Sequence, residues 1–279
     1  MDGGYGSYKD TISFTKRHRN RFMIKFDTSR FRVGKVFISR VTPEITEQEI
    51  DNTLRDGRKE YICISTARTV NTANSNDAYR EIMNNSLLNT TDGMPLVWCA
   101  RLWGLRDVKR TMGPALFNSL LSSNKKYRHF LIGDTEEVLN AVSQRYAKEY
   151  GALIVGTVSP PFCNVEDFDY SKYAQMINDA EADIVWVSMT APKQDFFSAR
   201  ILPLLKNGIV CIGVGAAFRY NIKTYKEPNK IIQKLGLTSF VLRGIRVKTI
   251  KKWFGIGLGI LPCMLNIWYR RFIGKKYYE

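Results

Sequence analysis

The feature that most constrains this chain is an alternation running through its second half. Short apolar runs at Phe130-Leu131-Ile132, Leu153-Ile154-Val155, Ile184-Val185-Trp186-Val187 and Ile209-Val210-Cys211-Ile212 are separated by stretches of helical period at 136–150, 170–182 and 194–206. A strand covered on both faces reads as a continuous apolar run, and parallel neighbours need a crossover between them. The pattern therefore predicts βαβ units wound into an α/β, doubly wound, mainly parallel sheet. Earlier in the chain, 35–39 reads as a first short strand and 46–58 as a helix with an acidic first turn. Residues 61–65 read as a buried strand that ends in a polar loop, Thr66-Ala67-Arg68-Thr69, and 74–87 as a helix leading into Asp92. At 279 residues there is room for one large core and an appendage.

Charge divides the chain further. Residues 1–35 carry nine Lys or Arg against three Asp, and 223–279 carry thirteen against two Glu, so the formal +16 sits at the two ends. We expect a basic N-terminal arm (1–34), a central domain (35–243) and a basic C-terminal helical appendage (244–279). Basic ends around a balanced globule suit a polyanionic partner: a nucleic acid, an anionic lipid or a phosphate-bearing substrate. The five cysteines, 63, 99, 163, 211 and 263, are scattered and form no C-x-x-C, which fits a reduced, cytoplasmic setting. With only His18 and His129 present, a His-based metal site or a Ser-His-Asp triad is not expected. No apolar leader segment occurs in the first thirty residues.

Doubly wound sheets bind ligands beyond the carboxyl ends of their strands. Those ends here read Gly133-Asp134, Gly156-Thr157, 188–194 and Gly213-Val214-Gly215. Gly213 and Gly215 begin a dinucleotide fingerprint whose third glycine is replaced by Phe218, so a phosphate- or sugar-facing loop and a simple tight turn both fit. Lys193-Gln194-Asp195 opens a helix, where it can bind an anion or serve as a solvated first turn. Asp167 and Asp169 have metal-binding D-x-D spacing, but a position just before a helix favours capping. Thr91-Asp92-Gly93-Met94-Pro95 holds a carboxylate on a turn above an apolar helix, either as a general base or as an N-cap.

Taken together the motifs are more specific. Asp92-Gly93-Met94-Pro95-Leu96-Val97-Trp98, Arg110-Thr111-Met112-Gly113-Pro114, Gly156-Thr157-Val158-Ser159-Pro160-Pro161-Phe162, Ala182-Asp183-Ile184-Val185-Trp186-Val187, Ala191-Pro192-Lys193-Gln194 and Gly213-Val214-Gly215-Ala216-Ala217-Phe218 occur in order. This series, within about 35–246, resembles the WecG/TagA/CpsF glycosyltransferases, glycosyltransferase family 26. The resemblance implies a Rossmann-like bacterial enzyme that moves N-acetylmannosamine, its uronic acid or another hexose from a UDP-sugar, with inversion, to a polyprenyl-diphosphate-linked acceptor in cell-surface polysaccharide synthesis. It implies Asp92 as catalytic base, Gln194 as a pocket residue, and Arg243 as a basic residue closing over the donor diphosphate.

The remaining expected substrate contacts are Thr66, Arg68, Arg110 and Gly113, then Lys193, Gly213, Gly215 and Arg246. The leaving UDP would be stabilised by Arg243 with Arg246 or Lys193 and by the 213–215 amides, with no metal and no other cofactor. Four positions depart from the family pattern. Ile64 and Thr66 stand where a Thr-x-Asn pair is usual, Arg219 stands where Asp often follows the glycine turn, and Asp195 replaces Glu. A basic Rossmann-like nucleic-acid-binding protein is the competing reading, although no nucleic-acid motif is present; homo-oligomerisation is left open.

The tail supplies one more expectation. Residues 253–269 form seventeen positions without a charge between Lys251-Lys252 and Arg270-Arg271. Spanning a bilayer takes roughly 17 to 25 apolar residues, and Gly255, Gly257, Gly259, Pro262 and Asn266 weaken a straight helix. The tail is therefore expected to rest on the anionic inner face of the cell membrane without crossing it, its Trp and Tyr at the headgroup boundary. A helix packed on the domain is the alternative.

Overall fold

The computed structural model describes residues 29–222, 229, 231–232 and 247–277. Arg243 and Arg246 lie outside the described residues.

The chain opens with an antiparallel hairpin, β1 (Arg30–Val33) and β2 (Val36–Ser39), turning at Gly34 with φ +65°. The assignment of 30–34 to a basic arm is thus corrected. Phe31 and Val33 alternate into the core, while the Arg30 guanidinium donates to the carbonyls of Asn84 (2.7 Å) and Leu87 (3.0 Å). Thr42 then caps α1 (Pro43–Arg55) by accepting from the Ile45 N–H.

Six strands form the predicted parallel sheet, in the order β4-β3-β8-β7-β5-β6. They are β3 (Glu60–Ser65), β4 (Leu88–Thr91), β5 (Arg128–Gly133), β6 (Leu153–Val158), β7 (Ile184–Ser188) and β8 (Val210–Gly213). The side-chain period of two sorts the sheet into two cores. Cys63, Phe130, Ile132, Val185, Val187 and Cys211 face one side; Ile62, Ile64, Leu131, Ile184, Trp186 and Ile212 face the other. The first side is covered by α2 (Ala67–Ser75), α3 (Asp77–Asn85), α4 (Met94–Leu102), α7 (Tyr170–Asp179) and α8 (Lys193–Ile201). The second is covered by α1, α5 (Gly113–Leu121), α6 (Glu136–Tyr150) and α9 (Ala217–Asn221). Helices on both faces make the fold Rossmann-like and doubly wound.

Two local expectations fail. The segment 66–69 is not a loop: Thr66 and Thr69 form a reciprocal capping box that starts α2 at Ala67. The single helix expected over 74–87 divides at Asn76, which caps α3, and it stops before β4. β4 reads Leu-Asn-Thr-Thr yet is buried throughout. Asn89 carries most of its polar bonding: it receives the Ser65 hydroxyl, donates to the Phe37 carbonyl (3.0 Å), and its N–H donates to Ser39 Oγ (2.9 Å), whereas the Thr90 hydroxyl is buried without a partner among the described residues.

The C-terminal segment forms one long helix, α10 (Val247–Phe272), that continues uninterrupted past its glycines and Pro262. Gly259 is a point of close approach, where an added Cβ would meet Asn71 Nδ2 at 2.2 Å. Ile260 and Ile267 join the core beside α2 and α4, and Arg271 Nη1 donates to the Leu102 carbonyl (2.8 Å). The packed-helix alternative therefore describes the inner face. The outer face carries Leu258, Leu261, Leu265, Trp268 and Phe272 at helical spacing, all exposed. Among the described residues no helix is long and apolar enough to cross a membrane.

Candidate active site

A cleft of about 690 Å³ runs along the carboxyl edge of the sheet. Strand order fixes its layout. Asp92 follows β4 at one end and Thr66 and Arg68 follow β3; the glycine turn follows β8 at the centre; Asp134 follows β5, and 159–162 follow β6 at the far end. Of the predicted site residues, Asp92, Thr66, Arg68, Arg110, Lys193, Gln194, Gly213 and Gly215 all line it.

Asp92 is not a helix cap. Gly93 takes the N-cap position of α4 without any side-chain bond, which leaves the Asp92 carboxylate, 30% exposed, at the cleft. The Asp92 N–H is fixed to the Ser65 carbonyl (2.7 Å), its carbonyl accepts from Arg110 Nε, and Arg110 Nη2 stands 3.7 Å from the carboxylate. The segment carrying Arg110 is clipped to β4, with Thr111 N–H donating to the Thr91 carbonyl at 2.7 Å and Thr91 Oγ1 to the Lys109 carbonyl at 2.9 Å. Gly113 lies behind this segment rather than facing a ligand: a Cβ there would stand 3.0 Å from the Val214 carbonyl, so its absence lets α5 close onto the glycine turn.

The turn itself is internally bonded, which corrects its expected role as a set of free amides. Val214 N–H donates to the Val187 carbonyl (2.9 Å) and Gly215 N–H to Gln194 Oε1 (2.8 Å), while the Gly215 carbonyl accepts from the Ser188 hydroxyl (2.6 Å). Gly215 has φ +59°, where a side chain would be strained. Gln194 is thus a buried support of the turn. Lys193 is committed as well: its ammonium lies 5.0 Å above the Phe162 ring and 4.8 Å from Phe168, and it donates to the Cys163 carbonyl. Arg68 Nη2 donates to the Ala191 carbonyl (3.3 Å) across the cleft wall.

Sequence reasoning placed Gly133-Asp134 at a strand end but did not foresee its partner at the far end of the cleft. Arg219 Nε and Nη2 grip the Asp134 carboxylate at 2.7 to 3.0 Å, so the basic residue found where an acid is usual brings its own acidic partner. The Gly133-Asp134 pair, both at positive φ, was the available signal. Phe162, fully exposed, lines the same end. Asp169 caps α7 through the Lys172 N–H (2.9 Å), and no group of three His, Cys, Asp or Glu fit to hold a metal occurs among the described residues.

Fold and cleft together define a doubly wound α/β protein shaped to hold a long polar ligand across several strand ends, with a carboxylate at one end of it. Residues 31–243 match the model of the glycosyl transferase WecG/TagA/CpsF family, and the chain belongs to that family. It is a glycosyltransferase by descent. No curated protein matches the chain significantly.

Proposed function

We propose that this glycosyltransferase moves a sugar from a UDP-sugar to a polyprenyl-diphosphate-linked acceptor, with inversion, in the synthesis of a cell-surface polysaccharide. The observation that carries the reading is the placement of Asp92. It lies two strand positions from the glycine turn, a separation of about 10 Å given the spacing of neighbouring strands. One pyranose fits between them, its anomeric carbon toward the acid and its diphosphate toward the turn. Asp92 takes the proton of the acceptor hydroxyl as that oxygen attacks the anomeric carbon and the bond to UDP breaks. Arg110 holds the turn bearing this carboxylate, and cations from 223–246, Arg243 and Arg246 among them, neutralise the departing diphosphate without a metal. The outer stripe of α10 rests on the anionic inner leaflet, where the reactive end of such an acceptor lies.

Replacing Asp92 by Asn tests the assignment. Transfer is expected to fall by about a hundredfold to ten-thousandfold, with UDP-sugar binding and thermal stability retained. Turnover within a few fold of the parent would remove Asp92 from the mechanism. A thermal-shift screen of UDP-sugars against a short duplex separates this reading from nucleic-acid binding.

A further inference from the structure

Behind the cleft lies a carboxylate that does not face it. Asp195 follows Gln194 in the first turn of α8 and is 4% exposed. Its Oδ2 accepts from the Tyr79 hydroxyl of α3 at 2.6 Å. Its Oδ1 is buried with no partner at hydrogen-bonding geometry. The polar groups nearest the carboxylate are the Gln194 amide and the Cys63 thiol of β3. Gly213 leaves them room: a Cβ there would stand 2.8 Å from Gln194 Nε2 and 3.0 Å from Asp195 Oδ1.

The Gln194 amide therefore stands between two neighbours. Its oxygen holds the Gly215 N–H, so its NH₂ must point the other way, toward the side where Asp195 lies. An ionised carboxylate can only accept, and it favours that orientation; a carboxylic acid can donate, and it competes with Gly215 for the amide oxygen. We propose that Asp195 is a positioning residue for the donor: as a carboxylate it fixes the Gln194 amide, and through that amide it fixes the Gly213–Gly215 turn. The donor role rests on the glycosyltransferase reading above, whereas the coupling of Asp195 to Gly215 does not.

Burial pushes the Asp195 carboxyl up to about 6, against the opposing pull of Tyr79, Cys63 and Gln194. The other groups facing this cluster are Tyr61 and Cys63 from β3 and Tyr79 from α3, whose pKa values burial raises further from neutrality. Arg30 and Arg68 supply fixed positive charge at longer range. A transition near pH 6 at the turn is therefore assignable to Asp195.

The experiment follows the Gly215 backbone ¹⁵N resonance of the ligand-free full chain from pH 4.5 to 8. One transition near pH 6 is expected. It should vanish in Asp195→Asn, move to higher pH in Tyr79→Phe, which removes a donor to the charged form, and return in Asp195→Glu. A second arm measures the Kd of UDP-N-acetylglucosamine, whose diphosphate does not titrate in this range. Its affinity should weaken about tenfold from pH 7 to 5, the limit for one proton with a midpoint near 6, and should be independent of pH in Asp195→Asn. A Gly215 resonance indifferent to pH, or the same transition in Asp195→Asn, overturns the coupling. A Gly215 transition with pH-independent affinity overturns the donor role alone. If UDP-N-acetylglucosamine and other UDP-sugars fail to bind at any pH, the glycosyltransferase reading fails and takes the donor role with it, while the Gly215 transition still supports the coupling.

Discussion

Two buried titratable groups give the stability of this protein opposite responses to acid. His129 is 1% exposed in β5, and its Nδ1 accepts from the Trp186 indole N–H at 3.1 Å. Burial lowers its pKa from 6.5 to about 4, with Asp183 opposing weakly. Between those values the unfolded chain binds a proton that the folded chain refuses, so stability is lost as pH falls from 6.5 to 4. Each tenfold difference in proton affinity is worth about 1.4 kcal/mol, which makes the loss about 3 kcal/mol. Asp195 runs the other way. Its pKa rises from 3.8 to about 6, so the folded chain holds the extra proton, and acidification across that window restores about 3 kcal/mol. The two groups sit on opposite faces of the sheet and should act independently. In the parent chain they nearly cancel between pH 4 and 6. Urea unfolding at several pH values should expose them separately. Asp195→Asn should lose about 3 kcal/mol on acidification relative to the parent, while His129→Asn, whose side-chain oxygen can still accept from Trp186, should gain a similar amount. The slopes decide the matter, since a cavity at 129 lowers the whole curve. Parallel curves for the two variants would refute the opposed burial of these groups.

Transfer should proceed fully in excess chelator, because the diphosphate is expected to meet Arg and Lys side chains; loss of activity on chelation with recovery on adding Mn²⁺ or Mg²⁺ would reverse that view. On α10, Trp268 (61% exposed) and Leu265 can be changed to Asp with little effect on folding. Each change should remove about 2 kcal/mol of apolar insertion, so partition to anionic liposomes in a flotation assay should fall about a thousandfold for the pair; unchanged flotation would place the membrane contact elsewhere. Gly133→Ala should cost about 3 kcal/mol or more in urea unfolding, since φ is +108° and the new Cβ would stand 2.3 Å from the Ser188 carbonyl. Gly151→Ala, also at positive φ (+64°) but facing open space, should cost only about 1 kcal/mol, and equal costs would show that close approach at Gly133 does not matter.

The parallel sheet was legible because β5, β7 and β8 are apolar on both faces, and a sequence of apolar runs shows that directly. β4 escaped because its Asn89 is held by hydrogen bonds to the Phe37 carbonyl and the Ser39 and Ser65 hydroxyls, which hydrophobic periodicity does not register. Asp92, Gln194 and the two glycines were readable as cleft residues, since strand ends of a doubly wound sheet must face one. What each does there was less readable. Whether Gly215 offers its N–H to a ligand or to Gln194, and whether Lys193 is free or held between two rings, depends on side chains from distant segments. The partnership of Arg219 with Asp134 joins residues far apart in sequence for the same reason.

Sheet order also bears on how the molecule is made. Among the described residues β8 is the last strand, yet it lies at the middle of the sheet, with Ile62 of β3 on one side and Trp186 of β7 on the other, both in register with Ile212. During synthesis β3–β4 and β5–β6–β7 can each begin to pair, but nothing joins the two groups until residues 210–213 emerge. Asp92 belongs to the first group and Asp134 to the second, and the glycine turn arrives with the strand that unites them. A nascent or truncated chain lacking that strand possesses both ends of the cleft and no cleft, so competence to bind a donor comes only when the sheet is closed from within.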